Sequence, residues 1–207
     1  MSNEDRVKVQ FPKDIAEHEL TVLHNDGLYR HLRFKKPGTS VYYVDVITWP
    51  GCLTIHGDMG TYTFSRIEDM IRFFAGKGSI DLRYWQEKLQ GLGRGETMVW
   101  DPASFKQQVM EEYEREVEEN PGAPYLHELM EEIQEDVLDV ADDEDLAHRA
   151  LQDFRHKASG FEFVDSWEWE CRDYDYRFVW ICYVLRHIAD LWLARQAAEA
   201  QAELVTA

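Results

Sequence analysis

The chain has 207 residues, 44% of them hydrophobic with 7 Trp, 10 Tyr and 10 Phe, and 22 Lys/Arg against 40 Asp/Glu give a net charge of −18. That aromatic content suits one packed body and excludes a disordered chain, while the charge disfavours nucleic-acid binding through a broad cationic face. No run reaches the roughly 18–20 uncharged apolar residues of a bilayer span, the start MSNEDRVKVQ has no signal-peptide core, and Cys52, Cys171 and Cys182 form no CxxC pair, so a cytoplasmic protein with reduced thiols is expected.

Residues 1–27 read as an irregular lead-in with a short helix around 15–23. From 29 to 65 the pattern turns to period two, with β-branched and aromatic residues between turn signals. Leu32 and Phe34 alternate with His31, Arg33 and Lys35 before Pro37 and Gly38. A long strand over 41–49 stops at Pro50 and Gly51; Leu53 and Ile55 follow, then the turn Gly57-Asp58-Met59-Gly60, then Tyr62 and Phe64. Connections this short make neighbours antiparallel, so a meander of three or four strands is predicted.

Ser65 and Glu68 have capping-box spacing, which places a helix start at Ser65 with Ile67, Met70, Ile71 and Phe74 on one face. A second helix from about 79–81 carries Leu82, Trp85 and Leu89, and the glycine-rich run 91–95 reads as a linker. Asp101 before Pro102 should cap a helix bearing Phe105, Val109, Tyr113 and Val117, ended by Asn120-Pro121-Gly122. The next helix has Leu126, Leu129, Met130, Ile133, Val137 and Leu138 on one side and acids on the other. A third begins at the acidic run 142–145, residues 160–173 read as extended, and a helix over about 174–200, apolar nearly all round from Phe178 to Trp192, belongs at the centre of the core. Arg186 and Asp190, four apart on it, are expected to pair. The fold class is therefore α+β: a β-meander with two helices over 1–95, and an acidic helical region over 96–207 packed on it.

The chain lacks HExxH, GxSxG, Walker and dinucleotide signatures, so no enzyme class, cofactor or metal is expected. Asp45, His56 and Asp58 form the best alternative ligand site, since a His with carboxylates at a turn suits metal, phosphate or acid–base chemistry. Arg30, Arg33, Lys35 and Lys36, with Tyr29 and Phe34, form the one basic stretch; it reads either as a nucleic-acid grip or as solvated cations pairing with the acidic half.

Charge is the strongest signal. Residues 1–95 carry 13 Lys/Arg and 12 Asp/Glu, whereas 96–207 carry 9 and 28. Six carboxylates fall within 111–119, about one per 2 Å of helix axis, close to the spacing of duplex DNA at roughly 1.7 Å. Such a run reads either as a solvated surface that keeps the protein soluble or as a binding face; on the second reading Glu111, Glu112, Glu118, Glu119, Glu128, Glu131, Glu132, Glu135, Asp136, Asp139, Asp142 and Asp143 are the candidate partner-binding residues, and the partner they call for is basic.

The segment 31–74, including TWPGCLTIHGDMGTYTFSRIEDMIRFF, with YWQEKLQ and the aromatic run 167–180, resembles a family of accessory proteins encoded by bacteriophages and prophages. The resemblance implies action inside a host cell by binding host factors. Joined to the charge, it leads to the expectation of a non-catalytic protein that binds and inhibits a basic host protein, such as a nucleic-acid-handling defence complex.

Overall fold

In the computed structural model, which describes residues 1–91 and 96–206, the chain is α+β. It divides into two compact units, one made of Met1–Met98 with Tyr174–Ala207 and the other of Val99–Asp173. The sequence reading divides the chain near residue 95, whereas the second compact unit runs from Val99 to Asp173 and the last helix lies in the first. The last helix belongs with the N-terminal sheet, because its apolar circumference needs that sheet's inner face. The expected linker at 92–95 lies outside the described residues, and among those described no helix is long and apolar enough to cross a membrane.

The first unit holds α1 (Asn3–Asp14), β1 (Glu19–Asp26), β2 (Tyr29–Lys35), β3 (Val44–Trp49), β4 (Cys52–Gly57), β5 (Gly60–Ser65), α2 (Met70–Phe74), α3 (Leu82–Gln86) and, after the second unit, α7 (Tyr176–Thr206). The five strands pair antiparallel in sequential order. Registry puts Val22, Leu32, Val46, Ile55 and Tyr62 in one row across the sheet, and Leu20, Phe34 and Val44 in the next. These rows form the inner face, and the fully buried Trp180, Trp192 and Phe178 of α7 join the same core with Val7 of α1, Phe74 of α2 and Trp85 of α3.

Several local expectations are corrected. The N-terminal segment is regular: Ser2 caps α1 on the Asp5 N–H, Val7 and Phe11 bury one narrow stripe, and β1 supplies a fifth strand. The long strand over 41–49 begins only at Val44, because Tyr42 sits at φ 57°, its N–H held by Asp58 Oδ2 at 2.9 Å and its ring stacked on Trp180 at 5.5 Å. Ser65 does not cap a helix; it is the last residue of β5 and donates its hydroxyl to Gly51 O at 2.8 Å. The helix starts at Met70, capped by Asp69. Arg186 and Asp190 do not pair with each other: Arg186 donates to the Phe74, Gly76 and Gly78 carbonyls and Asp190 accepts the Gly76 N–H, so both hold the loop after α2.

The second unit contains α4 (Pro102–Glu119), α5 (Leu126–Ile133) continuing into a π-helical turn (Gln134–Leu138), α6 (Glu144–Asp153) and a 3-10 turn at Ser166–Glu168. The chain enters it through β6 (Met98–Trp100) and leaves through β7 (Arg172–Tyr174), which pair as a separate two-stranded sheet. Asp101 caps α4 with Pro102 in the first turn, as predicted. Phe105, Val109, Leu129, Ile133, Val137, Leu151, Phe154 and Phe163 form this unit's own core.

Gly57 tests the sheet geometry most sharply, since a Cβ there would lie 2.0 Å from Tyr43 O. Gly57→Ala is expected to lower the unfolding free energy by about 2–3 kcal/mol, measured by chemical denaturation; an unchanged midpoint would mean that β3 and β4 do not close so tightly.

Candidate functional site

Negative charge follows the structural division closely. The second unit carries 6 Lys/Arg and 23 Asp/Glu, net −17, whereas the first carries 16 and 17, net −1. The apolar stripes of α4, α5 and α6 turn inward to one core, which leaves the acids outward by the helical period. Of the twelve candidate partner-binding residues, Glu111, Glu118, Glu119, Glu128, Glu131, Glu135, Asp136, Asp139, Asp142 and Asp143 are exposed, and Glu112 and Glu132 are half-buried.

Few of these charges are compensated. Arg115 pairs with Glu112 at 2.8 Å, Lys106 reaches Asp142 at 3.9 Å, and His127 stands 3.5 Å from Glu131. Gln107 donates to Glu111 and Gln134 to Asp139. Among the described residues Glu118, Glu119, Glu135 and Asp136 have neither an ion pair nor a side-chain hydrogen bond.

Helix stability explains only some of the acids. Asp101 and Asp143 cap α4 and α6, while Glu144 and Asp145 sit in the first turn of α6, where the helix dipole favours them. Glu118 and Glu119 end α4, which has no basic residue in its last turn, so the dipole opposes them. Glu112 with Glu116, Glu114 with Glu118, Glu128 with Glu132, Glu131 with Glu135 and Glu132 with Asp136 are like-charge pairs four apart, each opposing helix formation by about 0.2–0.5 kcal/mol.

In the alternative site on the sheet, Asp45 and His56 stand directly opposite each other on β3 and β4, but each of the three side chains is engaged by other groups. Arg33 grips Asp45 by two bonds of 2.7 Å, with His31 Nε2 at 3.4 Å from the same carboxylate. Asp58 is spent on the Tyr42 N–H, and His56 bonds Thr61 Oγ1 through Nδ1 at 2.7 Å with Tyr43 Oη 3.5 Å from Nε2. Of the basic stretch, Arg30, Arg33 and Lys36 are engaged by carboxylates of their own unit. Arg30 is buried with two bonds to Asp69 and a cation–π contact to Trp192, and Lys36 pairs with Glu17. A hollow of about 400 Å³ beside α1 is lined by both signs, Lys13, Lys36, Asp14 and Glu17 among them, and two of those charges pair with each other.

His156 is the chemically distinctive residue that sequence reasoning passed over. It follows α6 in a tight loop closed by His156 N–H to Phe161 O and Gly160 N–H to His156 O, and only 1% of it is exposed. Its loop composition, Ser159-Gly160, was the available signal; no fixed spacing links it to the helices before it.

No family model, curated protein or solved structure matches this chain.

Asp45 makes the sheet's outer face pH-dependent. Its carboxyl is held below the usual carboxylate value, first by the Arg33 hydrogen bonds, against the opposing effect of burial. A carboxyl depressed in the folded state stabilises above its unfolded value of about 3.9, and that stability disappears as pH falls through the folded value. Asp45→Asn should therefore lower stability at pH 7 by about 1–2 kcal/mol, with the gap to wild type closing below roughly pH 4 in thermal melts across pH.

Proposed function

We propose that this is a non-catalytic binding protein whose acidic helical unit, Val99–Asp173, docks on a basic, nucleic-acid-binding protein. The observation that carries the reading is the segregation of charge: net −17 in one unit beside net −1 in the other, with Glu118, Glu119, Glu135 and Asp136 outward and uncompensated. A surface kept only for solubility is served by interspersed charges of both signs. Here acids are stacked four apart and carried to a helix C-terminus, against local helix preference. The density over residues 111–119, the last half of α4, approaches that of a nucleic-acid backbone, so the partner's cationic groove is the complementary surface, and occupying it excludes the partner's own ligand. Inhibition of a host nucleic-acid-handling complex by a phage-encoded accessory protein is the form of this proposal that the resemblance implies.

Charge complementarity acts mainly on association rate and is screened by salt. Immobilised protein at about 0.1 M salt, where the Debye length is about 10 Å, should retain from bacterial lysate basic proteins that duplex DNA then displaces. The variant Glu118→Gln/Glu119→Gln/Glu135→Gln/Asp136→Asn should lose them, with association at least ~10-fold slower at low salt and the difference shrinking towards 1 M. Equal retention by both proteins, or retention that DNA does not compete, rejects the reading.

A further inference from the structure

We infer that the second unit contains a binding site for one divalent first-row transition ion, formed by Glu128, Glu132 and His156. Glu128 and Glu132 lie four apart on α5, hence on one face and one turn, and one ligand atom from each, with one from His156, all lie within 4.8 Å of one another.

The imidazole supplies the independent observation. His156 is 1% exposed, yet its Nε2 is buried with no hydrogen-bond partner. Its Nδ1 is occupied: Ser159 Oγ lies at 2.7 Å and the Ser159 N–H at 3.3 Å, leaving Nε2 as the ligand atom. If Nδ1 accepts from Ser159, the proton sits on Nε2 and is a buried donor without an acceptor. If Nδ1 donates to Ser159 Oγ, which also accepts the Phe161 N–H at 3.1 Å, the longer Ser159 N–H to Nδ1 bond is given up and Nε2 offers a bare lone pair. Neither state satisfies Nε2 within the protein, and an unsatisfied buried polar group costs about 1–3 kcal/mol. A cation in front of the lone pair resolves the second state, with Ser159 Oγ orienting the ring as partners of ligating histidines commonly do.

Chemistry selects the ion. One imidazole nitrogen and two carboxylates suit Zn²⁺, Mn²⁺ or Fe²⁺ better than Ca²⁺ or Mg²⁺, which take all-oxygen sets. At about 2.0–2.1 Å from zinc, ligand atoms stand roughly 3.4 Å apart in a tetrahedron, so the present spacing closes by a movement of about 1–1.5 Å. Glu128 is exposed and Glu132 half-buried, and rotamer changes there meet little packing resistance. Three protein ligands leave a fourth position open. Two carboxylates and a neutral imidazole balance the ion's charge, and a unit of net −17 concentrates cations near it. The ring of Tyr125 lies 5.9 Å from the imidazole and walls one side.

The inference is independent of the partner-binding reading, whose test leaves Glu128 and Glu132 untouched. The full-length chain, stripped with chelator, is titrated with ZnCl₂ by calorimetry while the histidine ring ¹⁵N resonances are followed by NMR. Expected are one Zn²⁺ per chain, a large shift confined to His156 Nε2, loss of binding in Glu128→Gln/Glu132→Gln, and binding about 10-fold weaker in Ser159→Ala. The double variant changes only surface-accessible positions, and its unperturbed melting curve separates lost ligation from lost fold. The exposed His127 beside Glu131 is the competing surface site, and His127→Ala should bind Zn²⁺ as wild type does. Absence of binding at ~100 µM Zn²⁺, a shift at His127 in place of His156, undiminished binding by the double variant, or equal binding of Mg²⁺ overturns the proposal.

Discussion

Burial of the segment 178–192 of α7 is the constraint on which the first unit depends. Phe178, Val179, Trp180, Ile181, Cys182, Val184, Leu185, Ile188, Ala189 and Trp192 are all buried, so one packed face is not enough and the helix must be enclosed. The sheet's inner rows, α1, and the five-residue helices α2 and α3 supply that enclosure. Helices that short do not persist alone; α2 and α3 exist because α7 gives Phe74 and Trp85 something to pack on. Polar groups beside it are tied down accordingly: Trp180 Nε1 donates to Asp14, and Arg186 serves three loop carbonyls. Burial also lifts the phenol of Tyr62, on the sheet's inner face, to about 12.

This explains what was legible in the sequence. β2, β4 and β5 were readable because their inward residues alternate strictly, and α4 because Asp101-Pro102 is a strong start signal. α1 was not: only Val7 and Phe11 are buried among its twelve residues, too few to set a period. Ser65 and Glu68 had the right spacing for a capping box, but strand pairing of Ser65 with Cys52 outweighed a local cap. Arg186 and Asp190 had the right spacing for an ion pair, but unsatisfied backbone groups in the loop after α2 were the stronger claimants. In each case a local rule yielded to a contact distant in sequence.

The same distinction governs the candidate sites. The acidic surface could be read residue by residue, since charge and helical period are local properties. What the structure adds is the boundary, which confines the net negative charge to one compact unit, and the finding that Arg33, Arg30 and Lys36 pair with Asp45, Asp69 and Glu17 inside the other. The proposed metal site has no sequence signature, because His156 lies in a loop 24 residues after Glu132, and loop closure, not any periodicity, brings it to the two glutamates.

The two proposals meet in the electrostatics of the second unit. Its folding brings 23 acidic side chains onto 75 residues, and like charges on helix faces repel in the folded state more than in the extended chain. The N-terminal acids of α6 are offset by its dipole, but those at the end of α4 and along α5 are not. Two kinds of counter-charge would relieve that repulsion without changing the sequence: the proposed cation held between Glu128 and Glu132, and the proposed basic surface laid over the exposed remainder. The first acts at a buried imidazole and is local; the second is diffuse and sensitive to salt. Since the ion would neutralise only two of the carboxylates, the outward acids Glu118, Glu119, Glu135 and Asp136 would keep their charge, and ion binding and partner binding are compatible on one unit.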